Sequence, residues 1–270
     1  MIKNNQVVLI TGASKGIGRN TAIYLAEKGF TVIATGRNIE RLKSLEADLK
    51  QKSLAIETIV MDVKQPEQIA TTVQSVLNNY SKIDILVNNA GIFTAIGPTW
   101  EVNLEDWIND VQTNLFSVFN TIQAVIPIML KQKYGRVINI VGGGTFNAFR
   151  YGNSYGTSKT AIARFTENLS KELENSPIKV FALDPGLNDT DMTRNQRETE
   201  IGKQYLSRIE QLFKEKVDVS PYQAPKYIYE LVSGNYDEFA GRIVSVHDQL
   251  NEIKQKINED DDFLKLRLNI

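Results

Sequence analysis

The chain contains no cysteine and only one histidine, His247. Without cysteine there are no disulfides, thiolate nucleophiles or cysteine-bound metals. A single histidine removes multi-histidine metal centres and argues against a Ser-His triad, so no metal site is expected. Beside Asp248 it reads as an ordinary buried or surface residue. Long apolar runs are missing too. The most apolar stretch, 124–130, is too short to cross a bilayer, and residues 1–6 carry no signal-like apolar segment. Neither sign of charge dominates: Lys+Arg total 31 and Asp+Glu 32, a net charge of -1. That balance argues against nucleic acid or an anionic membrane as the main partner. A soluble, cytoplasmic protein with a small-molecule partner is the expectation that remains.

The 270 residues suffice for one large domain with a substantial core. Short β-branched runs at Val7–Ile10, 31–34, 55–60, 83–87, 136–140, 179–183 and 242–246 read as strands buried on both faces. Helical patterns lie between them at 17–28, 39–51, 66–80, 103–131, 154–175 and 221–232. Pro66 and Pro221 fit first-turn positions, Gly29 fits a helix stop, and Pro127 is expected to kink or end the long central helix. Such alternation predicts a Rossmann-like, doubly wound α/β fold. Its seven-stranded sheet is mostly parallel, with helices on both faces. No linker or repeat divides the chain, so 1–270 reads as a single domain. Residues 190–216 break the pattern and read as a mobile flap. The tail, 249–270, carries Asp260-Asp261-Asp262, an acidic run expected to be solvated or disordered.

Tyr155 and Lys159 stand one helical turn apart at the start of the sixth helical pattern. A phenol titrates near ~10 and is a poor acid or base at neutral pH. An ammonium close by favours phenolate and brings that value toward the working range. Taken alone, this spacing usually means an ordinary helix surface.

The first strand runs into Thr11-Gly12-Ala13-Ser14-Lys15-Gly16-Ile17-Gly18, and a helix follows. Gly12 allows a sharp turn, Gly16 lets backbone approach a pyrophosphate, and Gly18 lets the helix pack on the sheet. The helix end and its free N–H groups favour an anion. A plain strand–helix turn is the alternative. At the end of the second strand NAD-binding proteins place an acid to hold the ribose hydroxyls. Here Gly36-Arg37 stands instead. A guanidinium pairs with a 2′-phosphate, and Lys15 adds a second cation, so NADP(H) is expected over NAD(H). The alternative for Arg37 is a surface cation with no ligand.

Together these residues resemble the short-chain dehydrogenase/reductase family over residues 5–247. The match takes in Thr11 to Gly18, Asp62-Val63, Asn88-Asn89-Ala90-Gly91, Asn114, Tyr155, Lys159, Pro185-Gly186 and Thr190. The resemblance implies that Asp62 and Val63 meet the adenine, and that Asn89, Ala90 and Gly91 pack beside the cofactor. Gly12, Ser14, Lys15, Gly16, Ile17 and Gly18 would hold the phosphates. Pro185, Gly186 and Thr190 would hold the carboxamide end of the nicotinamide. Tyr155 would be the acid/base, Lys159 the group that lowers its pKa and binds the nicotinamide ribose, and Asn114 the anchor of a water relay. A buried helix asparagine can also be purely structural.

One expected residue is missing. The family serine after the fifth strand falls on Gly142, which has no hydroxyl. Losing such a donor can cost ~2.7–4 kcal/mol of transition-state stabilisation. Thr145 is the nearest stand-in, with Asn147, Asn153 and Ser154 weaker. Two functions follow. The first is an NADP(H)-dependent oxidoreductase acting on a carbonyl or alcohol, with 190–216 closing over it. The second is a dinucleotide-binding sensor or scaffold with weak or lost catalysis. The enzyme is preferred because a pure binder has little need of a tuned phenol. Phe93, Trp100, Phe146, Phe149 and Tyr151 are candidates for an aromatic pocket. By analogy with the family, a homodimer or homotetramer would form through 103–131 and 154–175.

Overall fold

The computed structural model describes residues 5–267. Seven parallel strands form one sheet in the order β3-β2-β1-β4-β5-β6-β7. They are β1 (Val7–Ile10), β2 (Thr31–Gly36), β3 (Ile56–Val60), β4 (Ile85–Asn88), β5 (Gly135–Ile140), β6 (Ile178–Asp184) and β7 (Ile243–Ser245). The predicted strands are all present, with ends moved by a few residues. Strand order reverses between β1 and β4, where Leu9 faces Leu86 in register. A crevice opens there at the carboxyl ends of the strands, the usual ligand position in such sheets.

Alternation along β1 sets the two layers. Val8 and Ile10 point into one core with Ala22, Leu25, Ile228 and Leu231. Val7 and Leu9 point into the other with Val76, Val125, Met129 and Ile162. The helices that cover the sheet are α1 (Gly16–Glu27), α2 (Ile39–Gln51), α3 (Pro66–Tyr80), α4 (Leu104–Val111), α5 (Ser117–Gln132) and α6 (Asn153–Glu172). Pro66 opens α3, and Asn38 and Asn103 cap α2 and α4 with their side chains.

The central helix is continuous across Pro127 and irregular elsewhere. It runs through Pro127 to Gln132, so proline does not end it. An interior proline, through its lost hydrogen bond and its ring clash with the preceding turn, costs roughly 3 kcal/mol, and the buried face of Val118, Ile122, Val125, Ile126 and Met129 offsets it. The irregularity lies earlier, as a single π turn over Gln112–Phe116 that joins α4 to α5 and contains Asn114. Counted as one helix, Leu104–Gln132 is long and apolar enough to cross a membrane, whereas the 124–130 run alone is not. Val118, Ile122, Val125, Ile126 and Met129 of this helix are used in the sheet core.

Residues 190–216 form three short helices, α7 (Asp191–Glu198), α8 (Glu200–Tyr205) and α9 (Ser207–Lys214). Thr190 and Thr199 cap the first two. Helix α10 (Gln223–Val232) starts after Pro221, with Pro225 inside its buried first turn. Helix α11 (Leu250–Glu259) leads into the tail. There the acidic run is exposed but paired: Asp261 binds Arg242 and Lys265, and Asp262 binds Arg267. Leu264 O accepts from Ile243 N–H at 2.9 Å, so the tail lies along the edge of β7. Residues 268–270 of the expected tail lie outside the described residues.

Candidate active site

The turn after β1 is locked by the turn after β4. Thr11 Oγ1 accepts from the N–H groups of Asn89 and Ala90, both at 3.0 Å. Asn89 Nδ2 donates to the carbonyls of Thr11 and Gly12 at 2.9 and 3.1 Å. Gly12 has φ +66°, and a Cβ there would stand 2.8 Å from Ala90 Cα. A Cβ on Gly18 would stand 2.4 Å from Asn89 Nδ2. Close approach therefore requires both glycines, and at Gly12 the positive φ requires it as well. Helix α1 begins with no side-chain cap and no acid in its first turn. Its leading N–H groups and dipole are thus free of a side-chain cap and favour an anion.

Around the end of β2 the charges are positive. Arg37 is exposed and has no acidic partner among the described residues. Lys15 Nζ lies 3.1 Å from Asp191. Ser14 packs against Gly36, its Oγ 3.2 Å from where a Cβ would be. Beyond β3, Asp62 Oδ1 accepts from Lys64 N–H at 3.0 Å, and Val63 is buried beside it. On the other side of the crevice Asn188 Nδ2 donates to the carbonyls of Pro185 and Gly186. This brings Thr190 over the turn, its Cγ2 3.3 Å from a Cβ built on Gly16.

The centre of the site lies at the end of β5. Lys159 is buried, and its Nζ donates to Ile140 O at 2.8 Å. The same ammonium lies 5.5 Å from the centroid of the Tyr155 ring. Asn114 is fully buried, with Oδ1 accepting from Ile92 N–H at 2.9 Å and Nδ2 donating to Ile92 O at 2.8 Å. Both halves of its amide hold the segment after β4. Gly91 fills the gap, since a Cβ there would lie 3.2 Å from Asn114 Oδ1 and 3.7 Å from Lys159 Nζ. Tyr155, Lys159, Asn114 and Gly91 thus share one corner.

The electrostatics reverse one expectation. Tyr155 is pushed above its ordinary value, first by burial and then by the charges of Asp184 and Asp110. The nearby ammonium does not bring it down, because desolvation of the phenolate is the larger effect. Lys159 itself is lowered by burial to about 8.

A Cβ on Gly142 would stand 3.0 Å from Tyr155 Oη, so the phenol faces the position of the missing serine. Thr145 does not fill that position. Its hydroxyl donates to Gly142 O at 2.7 Å and accepts from Gly142 N–H at 3.3 Å. A hydroxyl has one hydrogen, and Thr145 uses it to fold the glycine loop. Ser154 is likewise engaged, donating to Asp110 at 2.7 Å. Asn153 accepts from Trp107 at 3.4 Å, and Asn147 is exposed.

Three features of the site escaped the sequence reading. Phe93 stacks on Tyr155 with centroids 5.0 Å apart and planes 23° apart. Asp110 is fully buried and accepts from Thr94 N–H, Thr94 Oγ1, Ala95 N–H and Ser154 Oγ. It therefore ties the residues that flank Phe93 and Tyr155 to each other. Asn88, Asn139, Thr121 and Thr166 form a buried hydrogen-bonded chain that joins β4 and β5 to α5 and α6. Asparagines inside apolar strands were the available signal for this last one. Of the predicted aromatics, Phe93, Phe149 and Tyr151 join Met192, Tyr205, Leu206 and Ile209 around Tyr155. Trp100 and Phe146 do not, being 84% and 51% exposed.

A nicotinamide dinucleotide fits these residues: a glycine-lined turn, an uncapped helix start, an arginine with no acidic partner among the described residues and a buried lysine follow one another. A family model described as short chain dehydrogenase matches residues 6–201. The 3-oxoacyl-(acyl-carrier-protein) reductase FabG of Thermotoga maritima is 32% identical over 249 residues, 89% of this chain and 96% of that protein. A crystal structure of an actinorhodin polyketide ketoreductase variant with NADPH superposes with a TM-score of 0.82 at 28% identity, covering 90% of this chain and 95% of that one. A crystal structure of NAD+-bound xylitol dehydrogenase superposes with a TM-score of 0.81 at 27% identity, covering 90% and 97%.

The buried ammonium has a measurable cost. Lys159 falls from an ordinary 10.5 to about 8 on folding, a penalty on the order of 3 kcal/mol. Below about 8 that penalty is present in full. Between about 8 and 10.5 the unfolded chain binds more protons than the native one, so the lysine's contribution becomes more favourable as pH rises. In urea denaturation, wild type should therefore gain on Lys159→Met by roughly 2–3 kcal/mol between pH 7 and pH 10. A difference independent of pH would contradict a buried, depressed lysine.

Proposed function

The chain belongs to the short-chain dehydrogenase/reductase family and is an oxidoreductase that uses a nicotinamide dinucleotide, and from that premise we propose that it is an NADP(H)-preferring reductase of apolar carbonyl compounds. The arrangement that carries the reading is Tyr155 Oη facing the Gly142 position with buried Lys159 behind it.

When bound, the cofactor supplies the hydride that reduces the carbonyl carbon. Tyr155 donates its hydroxyl proton to the carbonyl oxygen as negative charge develops there. Burial and the charges of Asp184 and Asp110 keep it protonated before the reaction. An alkoxide is a far stronger base than a phenolate, so a phenol held protonated is the competent donor. Lys159, charged below about 8, stabilises the phenolate formed after donation. Asn114 and Asp110 hold the segments on either side of the phenol. With no hydroxyl on Gly142, Tyr155 carries the oxyanion alone, and the vacated space admits a bulkier substituent on the carbonyl carbon. Phe93, Phe149, Tyr151, Tyr205 and Leu206 favour an apolar or aromatic one.

Support for NADP(H) comes from Arg37 and Lys15 around the end of β2, where no acid stands to bind ribose hydroxyls. The missing serine favours the second reading, a sensor or scaffold with weak turnover. Membership of an oxidoreductase family together with a retained tyrosine and lysine favours the enzyme.

Self-association is proposed on the helices that cover the β4–β5–β6 face. Leu104, Ile108, Phe116, Phe119 and Leu130 are exposed along α4 and α5, and a homodimer or homotetramer would bury them.

NADPH oxidation with apolar ketones and aldehydes tests the activity. Tyr155→Phe should lower kcat by about a hundredfold or more while NADPH binding is kept. Equal turnover in the variant would remove the phenol from the chemistry. Wild type should bind NADP+ at least about tenfold more tightly than NAD+, and equal affinities would end the preference. Light scattering should give the mass of a dimer or tetramer that Phe119→Glu disrupts, and a monomeric wild type would contradict the interface.

A further inference from the structure

Asp191 is the first residue of α7, directly after the capping threonine Thr190. Its Oδ2 accepts from Lys15 Nζ at 3.1 Å and from Arg41 NH1 at 2.7 Å. Its Oδ1 accepts from Arg194 NH1 at 3.3 Å. Lys15 belongs to the phosphate turn, Arg41 to the first turn of α2, and Arg194 to α7 itself. One carboxylate from the three-helix flap therefore bridges both walls of the crevice at the end of β2. Arg37 stands at the same end without an acidic partner among the described residues. The two cations drawn together by Asp191 are thus spaced to share a single anionic oxygen.

We infer that Asp191 acts as an internal anion, occupying Lys15 and Arg41 until a 2′-phosphate on the adenine ribose displaces it, and that it thereby sets the margin by which 2′-phosphorylated nucleotides are preferred. The inference rests on the 2′-phosphate reading given above and adds two residues to it: Arg41 as a third phosphate-facing cation and Asp191 as a competitor. The carboxylate stays ionised at any physiological pH, held down to about 2 by its hydrogen bonds to Arg41 and Lys15. The contacts are also weak enough to exchange. Side chains of Lys15, Arg41 and Asp191 are 54%, 47% and 36% exposed, and ion pairs so open to water are screened and individually small. A phosphate dianion brings twice the charge and more acceptor oxygens to the same cations. It also repels the carboxylate, so both cannot share Lys15 and Arg41. A nucleotide with a free 2′-hydroxyl brings no such charge and leaves the bridge in place.

Calorimetric titration with NADP+ and NAD+ tests this without reference to turnover. In Asp191→Asn the NADP+ dissociation constant should fall by about three- to tenfold, with NAD+ changed by less than about twofold. Asp191→Ala should behave alike, and the gain should shrink in high salt. Equal weakening of both nucleotides would make Asp191 a clasp over the bound cofactor and overturn the competitor role. Unchanged affinities would overturn it too, while leaving a wild-type preference for NADP+ standing. If neither protein distinguishes the two nucleotides, the 2′-phosphate reading fails and the inference falls with it.

Discussion

The bond from Lys159 Nζ to Ile140 O is the contact on which the site depends. It places a cation inside the fold where desolvation opposes it. A buried charge is tolerated only when its surroundings hold it in one place, and here they come from several elements. Helix α6 supplies the lysine and β5 the carbonyl. The Asn88–Asn139–Thr166 chain keeps β4, β5 and α6 in register beneath them. The π turn in the central helix aims Asn114 at Ile92, which seats Gly91 against the lysine. Tyr155 shares the helix with Lys159, so any shift of α6 would move donor and cation together.

The site is stabilised from its other side by an acid. Asp110 takes four distinct donors from two segments, which is how a carboxylate remains buried. Its charge, with that of Asp184, works against ionisation of Tyr155. Lysine and carboxylates thus pull the phenol in opposite directions, and enclosure decides the balance. The outcome is a phenol kept in its protonated form.

Local rules made much of this legible in the sequence. Seven β-branched runs separated by helical periods define the layers, and glycine spacing after β1 marks the turn whose close contacts are seen at Gly12 and Gly18. The one-turn spacing of Tyr155 and Lys159 places both on one side of α6. What stayed hidden depends on contacts between distant segments. Period alone puts Asp110 on a helix but does not bury it. The π turn at Asn114 and the bonds of its amide to Ile92, 22 residues away, leave no mark on local periodicity. Helices α7 to α9 are too short and too charged to show a period, and their apolar residues matter only because Phe93 and Tyr155 lie beneath. The direction of the Tyr155 shift depends on enclosure, which spacing cannot report. Thr145 was the nearest hydroxyl by count, yet its hydrogen closes the loop onto Gly142.

The central claim is that a buried lysine, charged only below about 8, supports proton donation by a phenol that carries its proton until the reaction takes it. The most direct measurement is kcat for carbonyl reduction followed from about pH 6 to about pH 10. The account predicts a plateau at low pH and a fall through a single ionisation near 8 as Lys159 loses its proton. A rate that stays level, or rises, across that interval would contradict it.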